Sequence, residues 1–292
     1  VFYTIKENKN IYSEKLNKLE IDFTNLSKDT CPQISFLKLN IDTIPNKYKG
    51  SLNKYFTDLN LNKNNFFTDI SNYISYENGQ PTHCYDANKI NGKLVFQELD
   101  TEQEFETLLG KKINLTNKNP VFLLNDKVIN LAGVIGGIET SCSSDTKTAL
   151  VECAFFKPEA IIGKSVKYDI QSEASYKFER FVDPECQDRI IRRFIKIVDE
   201  HTNIKDMSVI SYKFKQNKVT KIPIKINEIN QIIGTNISAE SYLNYLSKLG
   251  FIINDEHIEV PSYRSDIKTQ NDLAEEIARV IGYDNIIRNE IT

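Results

Sequence analysis

The sequence lacks several features that would assign a protein to a familiar class. Its five cysteines are scattered and odd in number, and no two have the C-x-x-C spacing of zinc sites and thiol redox motifs. It shows no signal peptide and no apolar run long enough to cross a bilayer. We therefore expect a cytoplasmic protein with no membrane partner.

An excess of positive charge is also missing. The 37 Lys and Arg residues are outnumbered by 40 Asp and Glu residues, which gives a formal net charge of −3 at pH 7. This balance argues against a protein that coats nucleic acid electrostatically. The length of 292 residues allows two domains. Because residue 1 is valine rather than methionine, we expect the chain to be a piece of a longer protein.

Hydrophobic periodicity indicates a mixture of strands and helices up to about residue 213. Residues 1–30 are polar and are interpreted as a lead-in from a preceding domain. Alternation predicts a strand at 34–41, and helical spacing predicts an amphipathic helix at 188–201. The Asn91-Gly92 pair is typical of a tight hairpin, and a second hairpin is predicted to turn at Asn125-Asp126.

A second, smaller unit is predicted from residue 214 to residue 292. It begins with a linker, "FKQNKV", and continues as helix, helix, hairpin and helix. Ser238 is a predicted helix N-cap, and Gly234 and Gly250 are predicted helix ends. This order and size are typical of a winged-helix-like module.

Three segments contain residues of the kinds that line binding sites. "LAGVIGG" (131–137) places three glycines in an apolar run without the spacing of a dinucleotide or phosphate loop. It is either a bulged strand end or a low wall for a flat ligand. "GQPTHCYD" (79–86) contains His83, which either fixes a turn or faces a cleft shared with Asp69, Ser71 and Asn72.

Glu152 is the most unusual charged residue, because it lies within the apolar strand "ALVECAFF" (149–156). Burying a carboxylate without partners is costly. Either the side chain points to solvent, or it accepts a hydrogen bond that a ligand brings. The next segment, "SVKYDIQSEASYKFERFVDP" (165–184), contains the small residues Ser172 and Ala174 and is predicted to be a charged helix.

The last segment is acidic. Three carboxylates lie three and four residues apart on one predicted helix face, and a fourth lies in the loop before it: Asp266, Asp272, Glu275 and Glu276. Four carboxylates suit a hard cation such as Mg²⁺. Acidic residues are also favoured in a first helical turn by the helix dipole, so the cluster has a purely structural explanation as well.

Taken together, four groups of residues resemble the β subunit of bacterial phenylalanyl-tRNA synthetase. They are "GQPTHCYD", "LAGVIGG", "VECAFFKPEAI" with "SEASYKFERFVDP", and "VPSYRSDI" with "DLAEEIARVIGYDNI", in the family's order and at its spacing over residues 31–290. The resemblance implies an internal fragment with an α+β fold. A β-rich editing domain with flanking helices would occupy residues 31–213, and a mainly helical winged-helix-like module would follow at 214–292.

The resemblance also implies an activity. In this family the editing domain hydrolyses tyrosine wrongly esterified to phenylalanine tRNA. Glu152 would accept a hydrogen bond from the tyrosine phenol, and His83 would contact the terminal adenosine or the ester. Gly133, Gly136 and Ala174 would form low walls, and Ser71, Asn72 and Ser172 would be polar lining. Ser71 and Ser172 stand where threonine is common in relatives, which implies a slightly looser pocket.

Further expectations follow from the resemblance. A water positioned by backbone amides and side chains, assisted by His83, would attack the ester. The resemblance favours Mg²⁺ at the four acidic residues. The partners would be tRNA(Phe) and the α subunit in an α2β2 tetramer that ligates phenylalanine to tRNA with ATP. Two alternatives stay open: a free-standing deacylase, and a structural or RNA-docking segment with an inactive pocket.

Overall fold

The structure is a computed structural model, and it describes residues 10–286 of the chain. These residues divide into two compact units, one ending at Gln216 and the other beginning at Asn217. The larger unit contains the predicted site, so its layers are described first. Within residues 10–286, the helices are all too short or too polar to traverse a membrane.

The strands of the larger unit form two five-stranded sheets and one short hairpin. The strands are β1 (Asn17–Lys18), β2 (Phe23–Asn25), β3 (Gln33–Ile41), β4 (His83–Asp86), β5 (Leu94–Leu99), β6 (Gln103–Glu106), β7 (Lys112–Leu115), β8 (Asn119–Leu124), β9 (Lys127–Leu131), β10 (Ile135–Gly136), β11 (Thr148–Phe155) and β12 (Ile204–Lys213). The first sheet has the order β1-β12-β3-β11-β4, and the second has the order β10-β9-β8-β5-β2. The remaining pair, β6 and β7, is antiparallel.

Six helices complete the larger unit: α1 (Gly50–Asp58), α2 (Phe66–Asn78), α3 (Pro158–Ile161), α4 (Lys164–Tyr168), α5 (Glu173–Phe178) and α6 (Gln187–His201). The apolar face of α6, which includes Ile190 and Phe194, is buried in a core that α1 and α2 share with the first sheet. Asn65 caps α2 by accepting from the Thr68 amide, and Gly79 ends it at φ 74°.

The first sheet is buried on both faces. Along β3, Ile34 and Phe36 belong to the core between the two sheets, whereas Leu37 and Leu39 belong to the core beneath the helices. Successive strand residues point to opposite faces, so an apolar residue is needed on each side of this central strand. The α+β class predicted from the sequence is confirmed by this layered arrangement.

Two local expectations need comment. The Asn91-Gly92 pair does not close a hairpin, because β4 before it and β5 after it belong to different sheets. Part of the predicted lead-in, residues 1–30, contributes β1 and β2, which pair with β12 and β5. The assignment of residues 1–30 to a preceding domain stays a prediction, as does the boundary after residue 213.

The smaller unit contains three helices and a three-stranded sheet of order β13-β15-β14. Its elements are β13 (Lys221–Pro223), α7 (Ile226–Ile233), α8 (Ala239–Lys248), β14 (Ile252–Ile253), β15 (His257–Glu259) and α9 (Gln270–Ile281). Ser238 caps α8, and Thr269 begins α9 with a capping box that includes Asp272. Apolar faces of the three helices meet around Ile229, Tyr242 and Leu273.

Candidate functional site

Glu152 lies on β11 in the core between the two sheets. Leu150 and Ala154, whose side chains point to the same face of the strand as Glu152, belong to that core. Val151 and Cys153 face the helices. The residue is 4% exposed. The alternative that the side chain points to solvent is therefore wrong, and a carboxyl group is held where a strand of this pattern normally carries a hydrophobic side chain.

The carboxyl group of Glu152 is hydrogen-bonded to a phenol. Tyr85 Oη, from the neighbouring strand β4, donates to Glu152 Oε2 at 2.8 Å. Asn130 Nδ2, from β9 of the other sheet, donates to Tyr85 Oη at 2.8 Å. Burial raises the pKa of Glu152 to about 8, although the hydrogen bond from Tyr85 acts in the opposite direction. The group is therefore mostly protonated at neutral pH.

His83 lies directly opposite Glu152 in the pairing of β4 with β11. Its ring meets the Tyr85 ring edge to face, with 4.4 Å between the centroids. The Nε2 atom is buried and has no hydrogen-bond partner among residues 10–286. Loss of hydration lowers the pKa of His83 to about 4, so the imidazole is neutral near pH 7. A neutral ring with an unused nitrogen can hold a water molecule or a ligand hydroxyl.

The glycines of 131–137 make room for side chains of the protein itself. A Cβ atom at Gly136, on β10, would lie 2.2 Å from His83 Cε1. At Gly133, which has a φ of 69°, a Cβ atom would lie 2.8 Å from Ile161 Cδ1. The structure thus brings Gly136 into direct contact with His83, while Gly133 packs on the short helix α3. Their roles as walls for a ligand ring stay predictions.

Ser172 ties helix α5 to the glycine-rich turn. Its hydroxyl accepts from the Ser175 amide at 3.0 Å, which caps α5, and donates to the Val134 carbonyl at 2.7 Å. Ala174 is half-buried against the core between the sheets. Beside α5 is a cleft of about 500 Å³, which is lined by Ser165, Gln171, Ser172, Glu173, Ser175, Tyr176, Glu179 and Arg180.

Ser71 and Asn72 lie on α2, next to the segment that leads into β4. The Ser71 hydroxyl donates to the Thr82 carbonyl at 2.6 Å, and Ser71 is buried. Asn72 is exposed. Lys177 of α5 donates to Ser75 Oγ at 2.9 Å, so the helix that carries Ala174 is joined to the helix that carries Ser71. The predicted lining residues therefore come from connected elements. His83 lies opposite Glu152 and against the Tyr85 ring, and Gly136 lies against His83.

Sequence reasoning missed Tyr85 and Asn130. Both are buried, and together with Glu152 they form a continuous polar chain from one sheet to the other. Signals for them existed in the sequence. Tyr85 is two residues after His83 and therefore shares its strand face. Asn130 is a polar residue within the apolar strand "KVINL", the same kind of exception that drew attention to Glu152.

The four acidic residues of the smaller unit are engaged by other groups. Arg264 Nη2 donates to Asp266 Oδ2 at 2.7 Å and to Glu276 Oε1 at 2.8 Å, with further donation from Nε and Nη1. Glu275 pairs with Arg279, which also reaches Glu276 at 3.4 Å. These contacts place guanidinium groups where a cation would have to lie.

Asp272 has a separate structural role. Its Oδ2 accepts from the amides of Lys268 and Thr269, each at 2.8 Å, and completes the capping box of α9. Hydrogen bonds from these groups lower the pKa of Asp272. Across the described residues, no three His, Cys, Asp or Glu side chains are grouped so that they could hold a metal. The predicted Mg²⁺ set of Asp266, Asp272, Glu275 and Glu276 does not fit a metal site in this arrangement, because each carboxylate is already paired.

Comparison with known proteins identifies both units. Residues 43–203 match the B3/4 domain family, and residues 222–283 match the tRNA synthetase B5 domain. A phenylalanine–tRNA ligase beta subunit of Ehrlichia canis is 35% identical over 82% of this chain and 31% of its own length. The corresponding protein of Francisella tularensis is 31% identical over 76% of this chain and 29% of its own length.

A solved structure also aligns with the chain. It is an N-terminal fragment of the phenylalanyl-tRNA synthetase beta subunit from Pyrococcus horikoshii, with 10% identity, a TM-score of 0.44, and coverage of 94% of this chain and 78% of that one. The chain spans about a third of the length of the curated relatives described above. The resemblance inferred from the sequence motifs is confirmed. Since more than half of its residues match, the chain belongs to the B3/4 domain family, with a tRNA synthetase B5 domain following the B3/4 domain.

Proposed function

We propose that this chain is the proofreading part of a phenylalanine–tRNA ligase β subunit and hydrolyses tyrosine that has been wrongly attached to tRNA(Phe). Two findings support the proposal: the similarity to curated subunits of that name over 82% of the chain, and the buried carboxyl group of Glu152. The second carries the argument, because it supplies the chemistry that separates tyrosine from phenylalanine.

The need for such a site follows from the difference between the two amino acids. A pocket shaped for phenylalanine cannot strongly reject the same ring with one added hydroxyl group. A second site can discriminate if it contains a buried polar group that only the hydroxyl satisfies. Phenylalanine would leave that group unpaired, and the cost of an unpaired buried polar group is about 1–3 kcal/mol.

Glu152 has the surroundings that this discrimination requires. Its carboxyl group is buried in an apolar layer, and a phenol, that of Tyr85, is already bound to one of its oxygens at 2.8 Å. The second oxygen, Oε1, is the atom that we assign to the tyrosyl phenol. In the protonated form of Glu152 it donates to the phenol oxygen, and in the ionised form it accepts from the phenol. Gly133, Gly136 and Ala174 would allow the ring and the ester to approach the backbone, and Ser71, Asn72 and Ser172 would line the entrance.

Hydrolysis would use a bound water rather than a protein nucleophile. The water adds to the ester carbonyl carbon, the bond from that carbon to the ribose oxygen breaks, and the ribose oxygen takes up a proton. His83 would hold the water or the ribose hydroxyl through Nε2, which has no hydrogen-bond partner in the described part of the chain. Because the pKa of His83 is lowered to about 4, we assign it orientation of the water rather than removal of its proton.

The parent enzyme would supply the remaining functions. We propose that the full subunit acts in the cytoplasm as part of an α2β2 tetramer with the α subunit, which ligates phenylalanine to tRNA(Phe) with ATP. No step of the proposed hydrolysis uses Mg²⁺.

Deacylation of tyrosyl-tRNA(Phe) by the chain tests the proposal. Glu152→Ala should lower the preference for the tyrosyl over the phenylalanyl ester by about ten- to a hundredfold, because the carboxyl group that would bond to the phenol is lost. Glu98→Ala, at an exposed position of β5, is the matched control and should keep the preference. Far-UV circular dichroism verifies that both variants are folded.

The outcome separates this proposal from its alternatives. Undiminished preference in folded Glu152→Ala would remove Glu152 from the role. A wild-type chain that binds tRNA(Phe) without hydrolysing the ester would indicate an RNA-docking segment.

A further inference from the structure

Tyr85 is the central member of a polar chain that crosses the core between the sheets. Asn130 Nδ2 donates to Tyr85 Oη, and Tyr85 Oη donates to Glu152 Oε2, both at 2.8 Å. Tyr85 is fully buried, and the other two residues are each 4% exposed. The chain links β9 of the second sheet with β4 and β11 of the first.

Packing alone does not explain a hydroxyl group at this position. A phenylalanine ring would fill the same volume without placing a polar atom in an apolar layer, where an unpaired hydroxyl is costly. The hydroxyl of Tyr85 is instead bonded to both Asn130 and Glu152, so its effect must be sought in what it does to Glu152.

We propose that Tyr85 is a positioning and specificity-determining residue for recognition of the tyrosyl ring: its hydroxyl holds Glu152 through Oε2 and reserves Oε1 for the phenol of the ligand. The inference rests on the proposed function, because it assumes that the ligand is a tyrosyl ester. It adds an internal phenol as the group that engages Oε2 and leaves Oε1 for the ligand.

The direction of the hydrogen bonds supports this role. The phenol of Tyr85 has a single hydrogen, and its oxygen already accepts from Asn130. The Tyr85 hydroxyl therefore donates its hydrogen to Glu152, and this bond fixes the carboxyl group at Oε2. A carboxyl group held at one oxygen presents the other in a defined direction.

Among residues 10–286, no cationic side chain acts on Glu152. Tyr85 and His83 face it from β4, and the other titratable groups that interact with it are the thiols of Cys31, Cys84 and Cys153. Tyr85 is thus the group that favours the charged form of Glu152. Removal of its hydroxyl should raise the pKa of Glu152 further.

Tyr85→Phe tests the inference in the full chain. The matched control is Tyr168→Phe, which removes another buried hydroxyl in the same unit, one that is bonded to Asn119 rather than to Glu152. The first readout is the ¹³C NMR titration of the Glu152 carboxyl in protein labelled at glutamate, with Glu152→Gln used for assignment. The second is the preference for tyrosyl- over phenylalanyl-tRNA(Phe) in deacylation.

We expect the Glu152 titration midpoint to rise by about one pH unit in Tyr85→Phe. The tyrosyl preference should fall by about tenfold in the same variant, and Tyr168→Phe should change neither quantity. An unchanged midpoint in folded Tyr85→Phe, or an unchanged tyrosyl preference, would overturn the inference.

Failure of the proposed function gives a different result. In that case the wild-type chain does not hydrolyse the ester, although the NMR midpoint still moves. If Tyr85→Phe does not fold, Asn130→Leu weakens the same chain, and a smaller rise of the midpoint is expected. An unchanged midpoint in that variant would also contradict the inference.

Discussion

Replacing Glu152 with glutamine should make the larger unit more stable, by an amount that grows with pH. Burial raises the pKa of Glu152 to about 8 in the folded chain, compared with an ordinary value of 4.5. Below pH 4.5 the carboxyl group is protonated in both states, so its stabilising effect is fully present. Between the two values, unfolding releases a proton, and the wild type loses about 1.4 kcal/mol of stability per pH unit.

The expected size follows from these two values. The wild type should lose about 1 kcal/mol from this group by pH 5 and about 3 kcal/mol by pH 7, relative to low pH. Glutamine stays neutral throughout, and its amide oxygen can still accept from Tyr85. The stability difference between Glu152→Gln and the wild type should therefore increase by about 2 kcal/mol from pH 5 to pH 7.

Urea unfolding followed by far-UV circular dichroism at pH 5, 6 and 7 measures this difference. Glu98→Gln is the matched control, because Glu98 is exposed on β5. Its stability relative to the wild type should not change with pH by more than a few tenths of a kcal/mol. A difference for Glu152→Gln that is the same at pH 5 and pH 7 would refute the reasoning that Glu152 is a buried, mostly neutral carboxyl group.

Three further predictions concern the glycine contact and the acidic cluster. Gly136→Ala should displace the His83 ring and reduce deacylation at least about tenfold. The same substitution should cost less stability in a His83→Ala background, because the clash with the ring is absent there. Stability effects of the two substitutions that add within about 0.5 kcal/mol would contradict the contact. Arg264→Ala should destabilise the smaller unit by about 3 kcal/mol, because the buried Glu276 loses its main partner. Arg279→Ala, at an exposed position, should cost less than about 1 kcal/mol. Equal effects in urea unfolding would show that Arg264 is not the main partner. Millimolar Mg²⁺ should leave the urea midpoint of the smaller unit unchanged. A rise of the midpoint in Mg²⁺ that Asp266→Asn abolishes would show that the acidic residues bind the cation.

Local patterns in the sequence predict several of the longer elements of the fold. The strand at 34–41, the helix at 188–201 and the cap at Ser238 depend on side chains within one element, so periodicity and capping rules detect them. The short strands β1 and β2 were not predicted. Two or three residues carry no measurable period, and these strands form only because longer strands lie beside them.

The site was predictable in its residue types but not in its contacts. Glu152 could be singled out because a carboxylate interrupts an apolar strand, but its bond to Tyr85 depends on the pairing of strands that are distant in sequence. The same limit applies to the acidic cluster. Four carboxylates close in sequence suit a cation, and only the folded position of Arg264, outside the helix, shows that Asp266 and Glu276 already have a cationic partner.

We propose that the chain distinguishes tyrosine from phenylalanine on the same tRNA by means of the buried carboxyl group of Glu152. The most direct test of this proposal is the ratio of kcat/KM values for deacylation of tyrosyl-tRNA(Phe) and phenylalanyl-tRNA(Phe) by the wild-type chain. We expect a ratio of at least about ten in favour of the tyrosyl ester. A ratio near one, or no hydrolysis of either ester by the folded chain, would contradict it.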